Sequence, residues 1–223
     1  MPIGFQINPR ASKIDPSLLE AFRGIPAPIV SDNMSRMFGG GADLRPRHRG
    51  GSMLGVALTV RARPGDNLMA HKAIDMAEPG DVIVIDAGGD LTNAIFGEIM
   101  MRLAIKRGAA GVVVDGAIRD CDVIAAGDFP VYSKGITHRG PYKDGPGEIN
   151  VTVTVGGQTV TPGDIIIGDM DGMLAIPRHA AVQVAASARE QLRREVEILA
   201  SIDNGTVDRT WVDEILRAKG LVV

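Results

Sequence analysis

Cysteine is almost missing from this chain: Cys121 is the only one in 223 residues. A single thiol excludes an intrachain disulfide and a cysteine-built zinc cage within one chain. Aromatic residues are few as well, with one Trp, two Tyr and five Phe beside 28 Gly. The core therefore has to come from aliphatic side chains, and the chain has to turn often and tightly. No apolar run approaches the ~18 residues of a membrane span, and the start "MPIGFQINPR" lacks a basic stretch followed by an apolar one. These absences predict a cytoplasmic protein with no membrane partner. Positive charge is not in excess either, since 24 Lys+Arg face 27 Asp+Glu for a net charge of -3. Nucleic-acid binding is dominated by phosphate neutralisation, so no nucleic acid is expected as a partner. A small anionic ligand stays open, because it needs only one or two local arginines. Fixed-period repeats, low-complexity tracts and Gly/Ser linkers are also lacking.

What is present reads as an ordinary globular chain, with 45% hydrophobic and 23% charged residues. Its length supports one sizeable domain, or one domain with an arm. "DPSLLEAFR", residues 15–23, opens with an Asp-Pro helix start, and "IVSDNMSRMF" continues with Ser31 or Asp32 as the N-cap of a second short helix. "GGSMLGVALTVRARPGD" alternates through Leu58, Val60 and Ala62 and stops at Pro64-Gly65, as a strand does. "NLMAHKAIDMAEPGD" has helical spacing at Leu68, Ala73 and Met76, and "DVIVIDAGG" follows as a buried strand. The same grammar repeats in "NAIFGEIMMRLAIKRGA", a helix with Ile95, Ile99, Leu103 and Ile105 as its apolar face, which delivers the strand "AGVVVDG". "FPVYSKGI" and "INVTVTVGGQTVTPGDIIIGDMDGMLAIP" read as short strands, with turns at Gly156-Gly157 and Pro162-Gly163. The pattern is thus α/β through the middle and β-rich after it, giving an α/β core over residues 1–177. From Arg178 to the end, 178–223, a long helix breaks at Asn204-Gly205 before a shorter one, "TWVDEILRAKG". Apolar residues line one side and alternating charges the other, as in an arm packed on its own core or on a neighbouring subunit.

Two loops after strands carry the chemistry: "DAGGDLTNAIFGEIM" after "VIVI", and "DGAIRDCD" after "GVVV". In a sheet fed by helices such loops gather at the C-terminal ends of strands, where ligands bind. Gly88-Gly89 and Gly97 leave backbone N–H groups uncovered, and a helix beginning near Phe96 points its positive end outward, which suits a carboxylate or phosphate. Glu98 lies in the first turn of that helix, while Arg119 and Asp120 sit in the second loop. Two carboxylates suit a hard cation, Mg2+ or Mn2+, and Arg119 offers a planar fork to a carboxylate or keto oxygen. The bland alternative has Glu98 favouring its helix terminus and Arg119 pairing with Asp115 on the surface.

The run "PGDVIVIDAGGDLTNAIFGEIMMRLAIKRGAAGVVVDGAIRD", residues 79–120, resembles the core of the class II 4-hydroxy-4-methyl-2-oxoglutarate/4-carboxy-4-hydroxy-2-oxoadipate aldolases, which share a fold with the regulator of ribonuclease activity A (RraA). The resemblance extends more thinly from Ser31 to Pro177. It implies an RraA-like layered α/β/β/α core of the swivelling β/β/α type, with the C-terminal helical arm added. It implies a pyruvate carboxylate held by the backbone amides of Gly97, Glu98, Ile99 and Met100, Arg119 on the substrate, and Asp120 as the direct metal ligand. Glu98 and a glutamate of an adjacent subunit would hold metal-bound waters, with Glu195 as the candidate and Glu190 and Glu197 as alternatives. It further implies cleavage of a 4-hydroxy-2-keto acid to pyruvate, oxaloacetate decarboxylation, a place in aromatic catabolism, and trimers often paired into hexamers.

Other residues have plainer readings. A Schiff-base lysine is not expected, because Lys72, Lys106, Lys134 and Lys143 fall on helix faces or polar loops. Cys121 has no His near it in sequence to activate it, and His71 reads as a structural residue of an amphipathic helix. His138-Arg139 could meet the far carboxylate of a larger substrate or lie in a solvated loop, and "DMDGM" reads as a hairpin turn rather than a calcium loop. The competing function is a non-catalytic protein-binding regulator of a ribonuclease, which would not need Glu98, Arg119 and Asp120 together. A methyltransferase role has no Gly-rich loop with a following acidic residue to support it.

Overall fold

A computed structural model describes residues 3–222. The chain opens with β1 (Phe5–Ile7), α1 (Pro16–Glu20), α2 (Ala27–Asp32) and β2 (Arg45–Pro46). It continues through β3 (Met53–Ala62), α3 (Leu68–Met76), β4 (Asp81–Asp86), β5 (Ala94–Phe96), α4 (Glu98–Lys106) and β6 (Gly111–Ile118). After α5 (Cys121–Ala126) come β7 (Val131–Ile136), β8 (Gly147–Ile149) and the hairpin of β9 (Val153–Val155) with β10 (Gln158–Val160). A second hairpin, β11 (Ile165–Asp169) with β12 (Gly172–Ile176), leads to the arm, α6 (Ala181–Asp203) and α7 (Thr210–Ala218).

Strands β3, β4, β6 and β7 run parallel in that order, as helical crossovers demand. Their β-branched runs alternate between two faces, and both faces are buried. Ile83, Ile85, Val112 and Val114 point to α3, α4 and α5. Val82, Val84 and Val113 point the other way, to Val153, Val155 and Val160 of the small hairpin and to Ile166 and Ala175 of the larger one. The outer face of that larger hairpin, Ile165, Ile167, Leu174 and Ile176, packs on α1, α2 and the start of α6. The layers are therefore α/β/β/α, as the resemblance implies. Strand β3 joins the two β layers, pairing with β4 along one edge and with β11 and then β8 along the other.

Several elements differ from their sequence expectation. Ser31 and Asp32 do not cap a second helix but end α2, which starts after Pro26 because Pro28 supplies a preset φ in the first turn. Asp15 does cap α1, accepting the Ser17 N–H at 2.9 Å. The expected helix from Asn93 begins only at Glu98. Its first residues instead form β5, whose Phe96 pairs with Ile118 of β6 where β4 has ended. The buried face of α4 is Met100, Met101 and Ala104, while Ile99, Leu103 and Ile105 are exposed. Helix α5 had no sequence expectation, and Lys134 lies on strand β7 rather than on a helix or loop.

Candidate active site

The short pairing of β5 with β6 builds the site. With Phe96 opposite Ile118, the next residues on the two parallel strands are Gly97 and Arg119, and Arg119 N–H extends the ladder by donating to the Phe96 carbonyl at 3.0 Å. Both strands end there, and a helix follows each: α4 from Glu98, α5 from Cys121. Asp120 makes the turn between β6 and α5 with φ 59° and ψ 39°, a left-handed conformation that is strained for a residue with a side chain. Its carboxylate is thereby set against the N-terminus of α4, where Oδ2 accepts the Glu98 N–H at 3.0 Å. Gly97 is required by this approach, since a Cβ there would lie 2.5 Å from Asp120 Oδ2.

Arg119 approaches the same oxygen, with Nε 3.8 Å from Asp120 Oδ2. It does not pair with Asp115, whose partner is Lys134 at 3.6 Å. Glu98 turns along its helix to Arg102, four residues on, at 2.6 Å. About a third of each carboxylate side chain is open, 39% for Asp120 and 32% for Glu98. Helix geometry leaves the N–H groups of Glu98, Ile99 and Met100 without a carbonyl four residues back, and Asp120 occupies only the first.

Gly97, Ile99, Met100, Arg119 and Asp120 line one cavity of about 280 Å³. Its remaining wall includes Asn67, His71 and Lys143, which the sequence did not assign to the site, and apolar Phe96 and Pro141. The buried Asp66 carboxylate places two of them. Its Oδ1 caps α3 at Leu68, and its Oδ2 accepts the N–H groups of Asp144 and Gly145 at 2.6 and 2.9 Å, tying the 142–145 loop to that helix. His71 is held below its ordinary pKa by burial first and by Lys143 second, so its imidazole is neutral at pH 7. The signal available in the sequence was the Asn67/His71 spacing of four at the start of a helix, which puts both on one face. His138 and Arg139 are outside the cavity wall.

Glu195 lies elsewhere in its own chain, on α6, accepting from Gln191 Nε2 at 2.8 Å. Glu190 and Glu197 are engaged with Arg193. The Cys121 thiol is pushed up by burial, with Arg47 acting the other way, so it is not activated as a nucleophile. Lys134 is raised by Asp43 and Asp115, the opposite of what a Schiff-base lysine needs.

Among the described residues no group of three or more His, Cys, Asp and Glu stands ready to hold a metal ion. The donor set of one chain, Asp120 with Glu98, nevertheless fits a hard cation. Both groups offer oxygen only, both are part exposed, and Mg2+ or Mn2+ binds proteins through one or two carboxylates while keeping waters.

The layered α/β/β/α fold thus sets an acidic residue, an arginine and a helix N-terminus around one cavity at paired strand ends. Residues 27–175 match the family model RraA-like, Aldolase/RraA, and the chain belongs to that family. A relative from Halalkalibacterium halodurans, named "Putative 4-hydroxy-4-methyl-2-oxoglutarate aldolase", is 37% identical over 206 residues, 92% of this chain and 98% of its own. One from Ectopseudomonas mendocina with the same name is 37% identical over 56% of this chain and 76% of its own. Among solved structures, an uncharacterized protein from Pseudomonas syringae superposes with a TM-score of 0.78 at 27% identity, covering 87% of this chain and 92% of that one. The RNA-processing inhibitor RraA from Thermus thermophilis gives 0.61 at 30% identity, covering 66% and 90%. Among the described residues no helix is long and apolar enough to cross a membrane.

Proposed function

We propose that the protein is a divalent-metal-dependent aldolase that cleaves a 4-hydroxy-2-keto acid, of the 4-hydroxy-4-methyl-2-oxoglutarate or 4-carboxy-4-hydroxy-2-oxoadipate type, to pyruvate and a second keto acid. The observation that carries this reading is the meeting of Gly97, Arg119 and Asp120 in one cavity through the β5/β6 register, with Glu98 joined to them by its N–H on Asp120 and its carboxylate outside the cavity wall on Arg102. Asp120 would hold Mg2+ or Mn2+ directly and Glu98 would hold it through water, once its carboxylate leaves Arg102. The bound cation would polarise the 2-keto group as a Lewis acid.

The chain's own groups do the rest. The amides of Gly97, which precedes α4, and of Ile99 and Met100 within it receive the carboxylate of the pyruvate half, and that of Glu98 joins them when Asp120 turns away from it. Arg119 donates to the 2-keto oxygen, where charge accumulates as the C3–C4 bond breaks. The C4 hydroxyl proton leaves to an ordered water, C4 becomes a carbonyl, the bond electrons pass to the keto oxygen, and C3 of the resulting enolate takes a proton from water to give pyruvate. The same electron flow accepts carbon dioxide as the leaving fragment, so oxaloacetate decarboxylation belongs to the proposal. The site wants a small anionic keto acid as its partner, and the protein is proposed to act in the cytoplasm as a trimer or hexamer.

The test is pyruvate release from a panel of 4-hydroxy-2-keto acids and oxaloacetate, with Mg2+ or Mn2+ supplied. Activity should vanish in excess EDTA, return with metal, and survive borohydride in the presence of pyruvate. No release from any substrate, full activity in EDTA, or pyruvate trapped on a lysine would overturn it. Structural likeness to the RNA-processing inhibitor supports a second reading, a protein-binding regulator of a ribonuclease. An inactive protein that binds and inhibits a ribonuclease would establish that reading instead.

A further inference from the structure

Asn67 closes the cavity at the start of α3 and is 3% exposed. As the N-cap of that helix its side-chain oxygen would ordinarily accept an N–H of the first turn, yet it caps nothing. Asp66 does that instead, accepting from Leu68 N–H at 2.9 Å. The Asn67 amide is turned towards β5 and α4, with Nδ2 donating to the Ile95 carbonyl at 3.1 Å and lying 3.4 Å from Met100 Sδ. A carbonyl can only accept, so the Ile95 contact settles which end of the amide carries the hydrogens. Oδ1 is left buried, with no hydrogen-bond partner among the described residues. An unpaired buried acceptor is costly, and a ligand that brings a donor is favoured by it.

Two other acceptors line the wall, the Asp120 carboxylate, which already takes the Glu98 N–H and is the proposed metal ligand, and one ring nitrogen of His71; the remaining polar groups have the opposite character. Arg119, Lys143 and the α4 amides are donors, and they match the carboxylate and keto oxygens of a 2-keto acid, which only accept. The substrate class proposed above has one group that must donate, its C4 hydroxyl. We infer that Asn67 is a specificity-determining residue whose Oδ1 accepts the hydrogen bond of that hydroxyl. This rests on the aldolase reading and deepens it, since it assigns the group that tells hydroxy-keto acids from keto acids without a hydroxyl. A carboxamide is too weak a base to take the proton. Asn67 therefore orients the O–H and its carbon while the proton passes to water and the C3–C4 bond opens. Oxaloacetate has no hydroxyl to present, so its decarboxylation draws nothing from Oδ1.

The experiment compares kcat/KM for a 4-hydroxy-2-keto acid and for oxaloacetate, on the same Mn2+-supplied preparations of wild type and Asn67→Leu. The ratio of hydroxy acid to oxaloacetate should fall about tenfold in the variant, the effect of one neutral hydrogen bond. A variant damaged only in packing or metal content loses both activities together and keeps the ratio. Asn67→Asp, which retains an acceptor, should hold the ratio near wild type. If Asn67→Leu does not fold, Asn67→Ser is too short to reach the Oδ1 position and should lower the ratio in the same way. An unmoved ratio in a protein whose wild type cleaves the hydroxy acid overturns the assignment of Asn67 alone. A wild type that releases no pyruvate from any hydroxy-keto acid overturns the aldolase reading and this inference with it.

Discussion

Asp120 bears three requirements at once: a left-handed turn, an acceptor for the Glu98 N–H, and an open carboxylate beside Arg119. Asn adopts the left-handed conformation more readily than most residues, and its Oδ1 can still accept from Glu98. Asp120→Asn should thus leave the fold intact and remove only the anionic ligand. Metal affinity followed by Mn2+ titration should fall at least tenfold and turnover should collapse, with the thermal midpoint within a few degrees of wild type. Normal turnover would make Asp120 a loop charge and nothing more. The residue types at this site were legible in the sequence because Asp, Arg and Glu after β-branched runs are conspicuous. The direction of each side chain was not: that Glu98 leans to Arg102, and that Asp115 belongs to Lys134, depends on partners brought from other elements. The spacing of Asn67 and His71 was legible but the orientation of the Asn67 amide was not, since an Asn before a helix reads as an ordinary cap until its amide is seen on Ile95.

Strands were easier to read than helices. β4 and β6 are short aliphatic runs that follow Gly, and burial on both faces gave them no rival interpretation. β5 was hidden because three residues, Ala94 to Phe96, run directly into helical spacing and owe their extended form to the free edge of β6 beyond β4. The α4 face was misread because Ile99 and Leu103 are spaced as a core stripe, yet the sheet takes Met100, Met101 and Ala104. β3 shows how tightly two layers meet. At Gly55 it pairs with Ile166 of β11, and a Cβ there would lie 2.3 Å from the Gly80 carbonyl oxygen and 2.9 Å from a Val82 methyl. The obstruction is backbone in a strand turn and cannot swing aside. Gly55→Ala should cost on the order of 1–3 kcal/mol in urea unfolding, with an unchanged m-value. A neutral substitution would show that β3 and β4 can separate at that point without loss.

At the scale of the whole molecule the arm divides in two. The first half of α6 is anchored, with Ala181, Val184, Ala185 and Ala188 buried against α1, α2 and the β11–β12 hairpin. Beyond it Val196, Leu199, Ile202, Trp211 and Ile215 remain exposed, and the α7 helix buries none of its residues. A helix pair so amphipathic carries more apolar surface than isolated helices keep in water, and we propose that a neighbouring subunit covers it. Among the described residues Asp120 and Glu98 have no third acidic partner grouped with them, which leaves room for a carboxylate from another subunit. A carboxylate given from the arm to a neighbour's metal, with Glu195 as the candidate, would make each site composite. Asp120→Ala and Glu195→Ala should each be inactive alone, since every site in either homo-oligomer lacks one of the two groups. In a mixed oligomer some interfaces would pair an intact Asp120 from one subunit with an intact Glu195 from the next, so mixing the variants after mild dissociation should restore a fraction of wild-type turnover. Fluorescent labelling of each variant would establish that subunits exchange. If they exchange, both variants keep the wild-type circular dichroism spectrum, and the mixture stays inactive, the arm does not reach the neighbouring site through Glu195. A truncation at Pro177 that yields an active monomer would remove the arm from catalysis altogether.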